Sequence, residues 1–337
     1  MPNRKIRTPK SIITLQTLPF VYPFYNQPTA TFFFAMPKPS FFIVGAPKCG
    51  TTALYAYLNR HPQVFMPAKE LYYFGSDFTF QYPRAQLSYY LSLFKPATPG
   101  QLCGEASVWY LYSKNAPKEI KQFNPDAKII IMLRNPIQML YSLHSQQVYE
   151  GNENIPVFEQ ALLAEPLRRQ GKLIPPLIGC PYEGLYYSDV ANYAPQVARY
   201  IAEFGADKVM IIIYDDFAAN AAHVYEQTLQ FLGIDPTFTI NPRRINPNKT
   251  ARFAWLRNLL KFRPPWLVKV VKILLPSKKL RAALQNKLWS VNTRYQPRPP
   301  MNPDTLAFLQ TAFKPKIAAL SQLLNRNLSH WATDNTA

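Results

Sequence analysis

Four short stretches of this 337-residue chain carry side chains whose types and spacing could do chemistry. The first is Gly45-Ala46-Pro47-Lys48-Cys49-Gly50-Thr51-Thr52. It lies between an apolar β-type run, Phe41 to Val44, and a helical pattern in which Leu54, Tyr57 and Leu58 share one face. Strand, glycine loop and helix together grip phosphate: loop amides and the free amides at the helix start face the anion, and the helix dipole adds to the attraction. The nucleotide-hydrolase form, G-x-x-x-x-G-K-[ST], needs lysine after the second glycine. Here Gly45 and Gly50 keep the separation, but Thr51 stands in the lysine's place and Lys48 sits inside the loop. The charge is moved toward the bond being broken, and the magnesium-triphosphate clamp is left incomplete. The second stretch, Lys69 to Phe74, sets one carboxylate, Glu70, among aromatic residues. A carboxylate in an apolar pocket is shifted toward a pKa useful to a general base, although by pattern alone Lys69-Glu70 reads as a surface pair at a turn. The third holds a second carboxylate, Glu105, followed by Ser107 and Tyr110; the fourth pairs Arg134 with Ser142, eight residues on.

The elements that must position these groups follow from periodicity. Ile129 to Leu133 is unbroken and apolar, as a buried parallel strand requires. Arg134 then stands at the strand's carboxyl end, where ligands bind in open α/β sheets, and Ser142 lies two turns into the next helix. A planar guanidinium and a hydroxyl can share one phosphate. Further strands are expected within 101–110, as a short strand ending in a polar turn, and at 208–214, and helices at 183–204, 220–232 and 303–325, the last with Leu306, Leu309, Phe313, Ile317, Leu320 and Leu324 at core spacing. The Pro-containing stretch 151–181 reads as an irregular excursion over the site, and 78–100 as a helix and loop covering an acceptor cleft. His144 reads as a partly buried or surface histidine, and Asp215-Asp216 as a cap or loop pair rather than a metal site.

Taken together, these motifs resemble those of the sulfotransferases that use 3′-phosphoadenosine 5′-phosphosulfate (PAPS). P-K-C-G-T-T-A-L is most similar to the 5′-phosphosulfate loop of the heparan-sulfate-type enzymes and their bacterial relatives. The resemblance implies that Lys48, Cys49, Gly50, Thr51 and Thr52 hold the phosphosulfate and that Lys48 also serves catalysis. It makes Glu70 the base, with Glu105 a second candidate, and gives Arg134 and Ser142 the 3′-phosphate through R-[DN]-P-x(5)-S. Tyr186, in a G-x-Y element, is the implied nucleotide contact, and Arg298 is carried over from a closing loop in which this chain has no glycine. Asn246-Pro247-Asn248-Lys249-Thr250-Ala251-Arg252-Phe253 resembles the N-K-T-x-x-F element before that loop. In the family's E-K-[ST]-x-x-Y element this chain has Ala106 for lysine, which leaves the acceptor type open. The implied fold is α/β: a P-loop-like three-layer fold with a central parallel sheet and a basic helical appendage toward the C-terminus.

Bulk properties bound the rest. With 48% hydrophobic residues the chain can bury a large core. Three cysteines, Cys49, Cys103 and Cys180, form neither a metal pair nor a disulfide framework and fit a reducing compartment. The net charge of +19 is concentrated: residues 241–300 hold fifteen Lys or Arg and no Asp or Glu. Three short amphipathic patterns, 251–262, 265–275 and 277–291, put Trp255, Leu259, Trp266, Val270, Leu274 and Leu288 on apolar faces. The segment 249–291 is expected to face an anionic membrane or an anionic glycan rather than nucleic acid. Residues 1–35, basic and broken by proline, are expected to be a disordered extension or a non-native start. Residues 36–331 then form one domain, with a tail at 332–337 and a cytoplasmic, membrane-associated location.

The reading is transfer of the PAPS sulfuryl group, without a metal, to a hydroxyl or amine of an acceptor, with a glycan ahead of a lipid or phenol. Two other classes compete. A P-loop kinase would want lysine at position 51 and magnesium, and a non-catalytic polyanion- or membrane-binding protein would leave Lys48, Glu70, Arg134 and Ser142 unexplained.

Overall fold

The computed structural model of the protein describes residues 37–80, 83–176, 178–241 and 248–334. The expected extension 1–35, Asn246-Pro247 of the N-K-T element and the last three residues of the tail lie outside the described residues. Five strands make one parallel sheet: β1 (Phe41–Gly45), β2 (Val64–Phe65), β3 (Leu102–Ala106), β4 (Lys128–Leu133) and β5 (Val209–Ile213), in the order β2-β3-β1-β4-β5. Every residue of β1 is buried, as its uncharged sequence demands, and β4 is buried from Ile129 on. The chain leaves β1 for β2 and β3 on one side and for β4 and β5 on the other. The carboxyl end of β1 is therefore the switch point at which open α/β sheets bind ligands, and the glycine loop grows from it.

Helix boundaries follow local chemistry. α1 (Thr51–Leu58) follows the loop directly. In α2 (Pro136–Glu150), Asn135 caps the start by accepting from the Ile137 amide at 3.0 Å, Pro136 takes a first-turn position, and Gly151 ends the helix in the left-handed conformation. The helix expected over 183–204 is three pieces: a 3-10 turn (Tyr182–Leu185), a short helix (Tyr187–Val190) and α3 (Tyr193–Phe204). Pro195 is the reason, since proline is tolerated only in a first turn and α3 must begin just before it. The excursion 151–181 contains helices Phe158–Leu163 and Glu165–Arg169. They close over an ion pair, Glu153–Arg168 at 2.7 Å, with neither side chain exposed. Glu153 also accepts from the Tyr187 hydroxyl, and His144 is buried against the Ile155 carbonyl.

α4 (Ala221–Leu232) follows β5, and Asp215 and Asp216 occupy a short helix, Tyr214–Ala219, between them. Both carboxylates are turned to the C-terminal segment: Asp215 accepts from Trp331 Nε1 at 2.7 Å, and Asp216 forms a bidentate pair with Arg326. The basic appendage is an excursion between two antiparallel strands, β6 (Lys249–Ala251) and β7 (Thr293–Tyr295). It comprises α5 (Ala254–Phe262), α6 (Pro265–Leu274) and α7 (Lys278–Asn292). Arg257 and Lys261 of α5 hold the end of α2 through the carbonyls of Val148 and Glu150. α8 (Pro303–Leu323) packs its expected stripe inward, and the fold extends past Trp331, since Asp334 accepts from Gln138 Nε2 at 2.6 Å.

Glu105, on β3, is 1% exposed. Its carboxylate accepts from Ser107 Oγ at 2.8 Å, from the Tyr110 hydroxyl at 2.6 Å and from the Tyr90 hydroxyl. Burial pushes it up to about 7, against the three hydroxyls, which pull it down. The folded chain thus keeps a proton that an ordinary glutamate, near 4.5, releases. The resulting stabilisation is complete below about pH 4.5 and is lost as pH rises through about 7. Comparing denaturation midpoints of wild type and Glu105→Gln across this window is expected to show about 3 kcal/mol of pH-dependent stability that the variant lacks.

Candidate active site

The loop from β1 to α1 depends on two glycines. Gly45 has φ 147°, and a Cβ there would lie 2.6 Å from the Val108 carbonyl oxygen. Gly50, at φ 91°, caps α1, and a Cβ there would press on the Tyr214 ring and Met132. Between them Lys48 also adopts a left-handed conformation, φ 61°. The first amides of α1 have no partner within the helix and open on this turn.

The Cys49 side chain turns away from the site. It is buried, donates to the Pro47 carbonyl and lies 4.0 Å from the Tyr193 hydroxyl, and burial pushes its thiol up to about 12. Only its backbone can serve a ligand. Thr51 and Thr52 offer hydroxyls, each receiving a hydrogen bond from Lys69 Nζ, at 3.2 and 3.0 Å.

Four cations gather here, with Lys48 at their centre. Its ammonium is lowered to about 8, first by burial and then by Arg298, Lys249 and Arg134, with Glu150 acting the other way. Arg134 lies over the Tyr214 ring and donates through Nε and Nη2 to Gln138 Oε1. Arg298 reaches Ser142 Oγ at 3.1 Å and Ser145 Oγ at 2.9 Å and stacks on Tyr141. Burial and then the like charge of Arg134 hold Arg298 below its ordinary pKa. Among the described residues none of these four cations lies within 4.0 Å of a carboxylate. The arrangement is a socket for anions: a loop and a lysine at one end, two arginines and a serine at the other.

Glu70 projects from a strained segment, with φ 65° at Glu70 and 50° at Tyr72. Such non-glycine conformations persist only where surroundings enforce them, and they cluster at functional sites. Its amide donates to the Ala106 carbonyl at 2.8 Å; one carboxylate oxygen accepts from the Val108 amide at 3.0 Å and the other lies 3.3 Å from Lys69 Nζ. The Tyr72 hydroxyl also donates to it. The side chain remains 30% exposed, so a substrate can reach it. Glu105, by contrast, is enclosed and satisfied, so a base role there has no access to solvent or acceptor.

The structure brings together Lys48, Arg134, Ser142 and Arg298, and sets the loop threonines against Glu70 through Lys69. It does not bring Tyr186 to them. That hydroxyl donates to the Arg168 carbonyl, and the ring lies under Arg169, because Ser188 and Asp189 bind the segment to Glu165 and Arg169. Tyr193 does reach the loop, behind Cys49, as the Tyr214 ring does at Gly50. Sequence reasoning also misses Lys69, Tyr72, Lys249 and Glu150 as members of the site. Lys69 and Lys249 stand within recognisable motifs, so only their side-chain directions are hidden. Glu150 has no local signal, because the length of α2 carries it to Lys48. Past Glu150 opens a cleft of about 540 Å³ lined by Gly151, Asn154, Trp255, Arg257, Leu259 and Pro264, among others.

Comparison with known proteins identifies the family. The model of the sulfotransferase domain matches residues 38–318. Carbohydrate sulfotransferase 15 of Mus musculus is 27% identical over 250 residues, 59% of this chain and 44% of the relative. The bifunctional heparan sulfate N-deacetylase/N-sulfotransferase 4 of Mus musculus is 27% identical over 211 residues, 59% of this chain and 23% of that protein. The chain thus spans less than half the length of these curated relatives. A crystal structure of a sulfotransferase from Alicyclobacillus acidocaldarius superposes with a TM-score of 0.65 at 27% identity, covering 88% of this chain and 99% of that one. With the domain matched over most of this chain and the five-stranded parallel sheet shared with a solved member, this chain belongs to the sulfotransferase family.

Proposed function

We propose that the protein transfers the sulfuryl group of PAPS to a hydroxyl or amine of a glycan acceptor. The observation that carries this reading is the gathering of Arg298, which reaches Ser142, and of Arg134 around Lys48 and its loop, with no carboxylate in contact. A nucleotide phosphorylated at both the 5′ and 3′ positions suits two separate anion sites of this kind, whereas ADP offers nothing to the second. The names of the relatives, carbohydrate and heparan sulfate sulfotransferases, support a glycan acceptor.

In this reading PAPS supplies an activated sulfuryl group whose leaving side is a phosphate. Glu70 takes the proton of the acceptor O–H or N–H as that atom bonds to sulfur, and the electron pair of the broken S–O bond stays with the leaving 5′-phosphate. Lys48, the loop amides, Thr51 and Thr52 hold the charge that grows on those oxygens. Arg134, Ser142 and Arg298 fix the 3′-phosphate. Lys69 and Tyr72, both in contact with Glu70, hold the carboxylate in place before an acceptor arrives.

Calorimetric titration of the full-length protein with adenosine 3′,5′-bisphosphate, ADP and AMP tests the nucleotide. Micromolar binding of the bisphosphate is expected, with ADP and AMP weaker and Arg134→Ala weakened about 10- to 100-fold, the value of a lost charged hydrogen bond. Equal affinity for ADP would overturn the reading. The same titration run against pH checks Lys48. An ammonium lowered to about 8 in the free protein is reprotonated by an arriving anion, so affinity is full below pH 8 and falls above it. Lys48→Arg is expected to remove that fall. For the chemical step, Glu70→Gln is expected to lower kcat by about 10²- to 10⁴-fold while leaving bisphosphate affinity unchanged, measured as transfer of radiolabelled sulfate to a glycan panel.

A further inference from the structure

α6 carries its apolar residues on the wrong side for a helix of a water-soluble surface. Trp266, Val270, Ile273 and Leu274 follow the spacing i, i+4, i+7, i+8, which puts them on one face. They are 63, 42, 77 and 72% exposed. Leu267, Val268 and Val271, on the remaining face, are only half-buried. Lys269 and Lys272 are exposed along the flank of the outward stripe, and Lys278 and Lys279 open α7 immediately afterwards. α7 continues the pattern with Leu280 at 59% and Leu284 at 43% exposure, one turn apart. No acidic residue occurs from 241 to 300.

Three occupants compete for such a face, and charge and hydropathy separate them. A soluble polyanion would pair with the lysines but leave an indole, an isoleucine and a leucine in water. A second copy of this chain would cover the apolar stripe only by bringing one uncompensated basic surface against another. An anionic bilayer takes both parts. Its headgroups meet the lysines while the stripe enters the acyl boundary, and flanking lysines extend their stems along the apolar surface. Ten residues of α6 are too few to span a bilayer, and no helix among the described residues is long and apolar enough to do so, which leaves a helix lying in the interface plane.

We infer that α6 docks the protein flat on an anionic phospholipid membrane through Trp266, Val270, Ile273 and Leu274, with Lys269 and Lys272 engaging the headgroups. This inference does not rest on the sulfotransferase chemistry and fails or stands separately from it.

The test is co-sedimentation of the full-length protein with vesicles of phosphatidylglycerol and phosphatidylcholine, and with vesicles of phosphatidylcholine alone. Wild type is expected to sediment with the mixed vesicles and not with the neutral ones. The triple variant Trp266→Ser, Ile273→Ser, Leu274→Ser is expected to lower that partitioning at least about tenfold. Because it keeps every lysine, its retention on immobilised heparin should match wild type. Lys269→Gln with Lys272→Gln is expected to weaken vesicle binding and make the remainder less sensitive to salt. Circular dichroism and bisphosphate titration confirm that each variant is folded. A triple variant that sediments like wild type, or a wild type that binds heparin but no vesicle, would overturn the inference. So would a wild-type dimer that the triple variant converts to monomers.

Discussion

One buried carboxylate holds the catalytic side of this molecule in order. Glu105 lies inside the sheet with its oxygens turned to the hydroxyls of Ser107, Tyr110 and Tyr90. Those hydroxyls are not idle. Tyr110 accepts the amides of Tyr73 and Phe74, and Ser107 accepts that of Tyr72. Tyr90, in turn, stacks on Tyr73 with ring centroids 4.2 Å apart. The strained backbone that presents Glu70 is therefore tied, hydroxyl by hydroxyl, to a strand of the central sheet. The energy that keeps two non-glycine residues in the left-handed region comes from a polar network that water does not reach.

On the other side of the loop the governing effect is crowding of like charge. Lys48, Arg134, Arg298 and Lys249 crowd one another in a partly buried socket, relieved in part by the carboxylate of Glu150. Such a socket is uncomfortable when empty and is stabilised by a polyanion. Folding has placed it by topology: β1 and β4 deliver Lys48 and Arg134 to the same carboxyl end of the sheet, α2 brings Ser142 and Glu150, and the β6–β7 ribbon and the chain just after it bring Lys249 and Arg298 from far along the chain.

Much of this is legible in the residues themselves. The strands at 41–45 and 128–133 are uninterrupted apolar runs, and the loop and Arg134 sit at their ends, so motif and position reinforce each other. What escapes reading is long-range. Tyr186 matches a family pattern, yet Glu165 and Arg169 hold its segment elsewhere. Glu105 and Glu70 look alike in sequence, and only packing shows that one is enclosed by hydroxyls while the other faces an opening. Arg298 sits in the poorest motif match of all, yet the ribbon sets it on Ser142. The periodicity of α6 marks an amphipathic helix, but no pattern states which face meets the protein.

The appendage leaves and rejoins the domain through one hydrogen-bonded ribbon, β6 paired with β7, so whatever acts on residues 252–292 acts on the ribbon's two strands. One strand begins with Lys249 and the other runs on to Arg298, and both residues press their charge on Lys48 in the anion socket. Free-energy coupling between two binding events is reciprocal. If adsorption of the appendage biases the ribbon toward the geometry that grips a nucleotide, an occupied socket must tighten adsorption by the same factor. The protein would then reside longest at a surface when charged with donor and shortest once its product has left, a cycle of attachment driven by turnover alone.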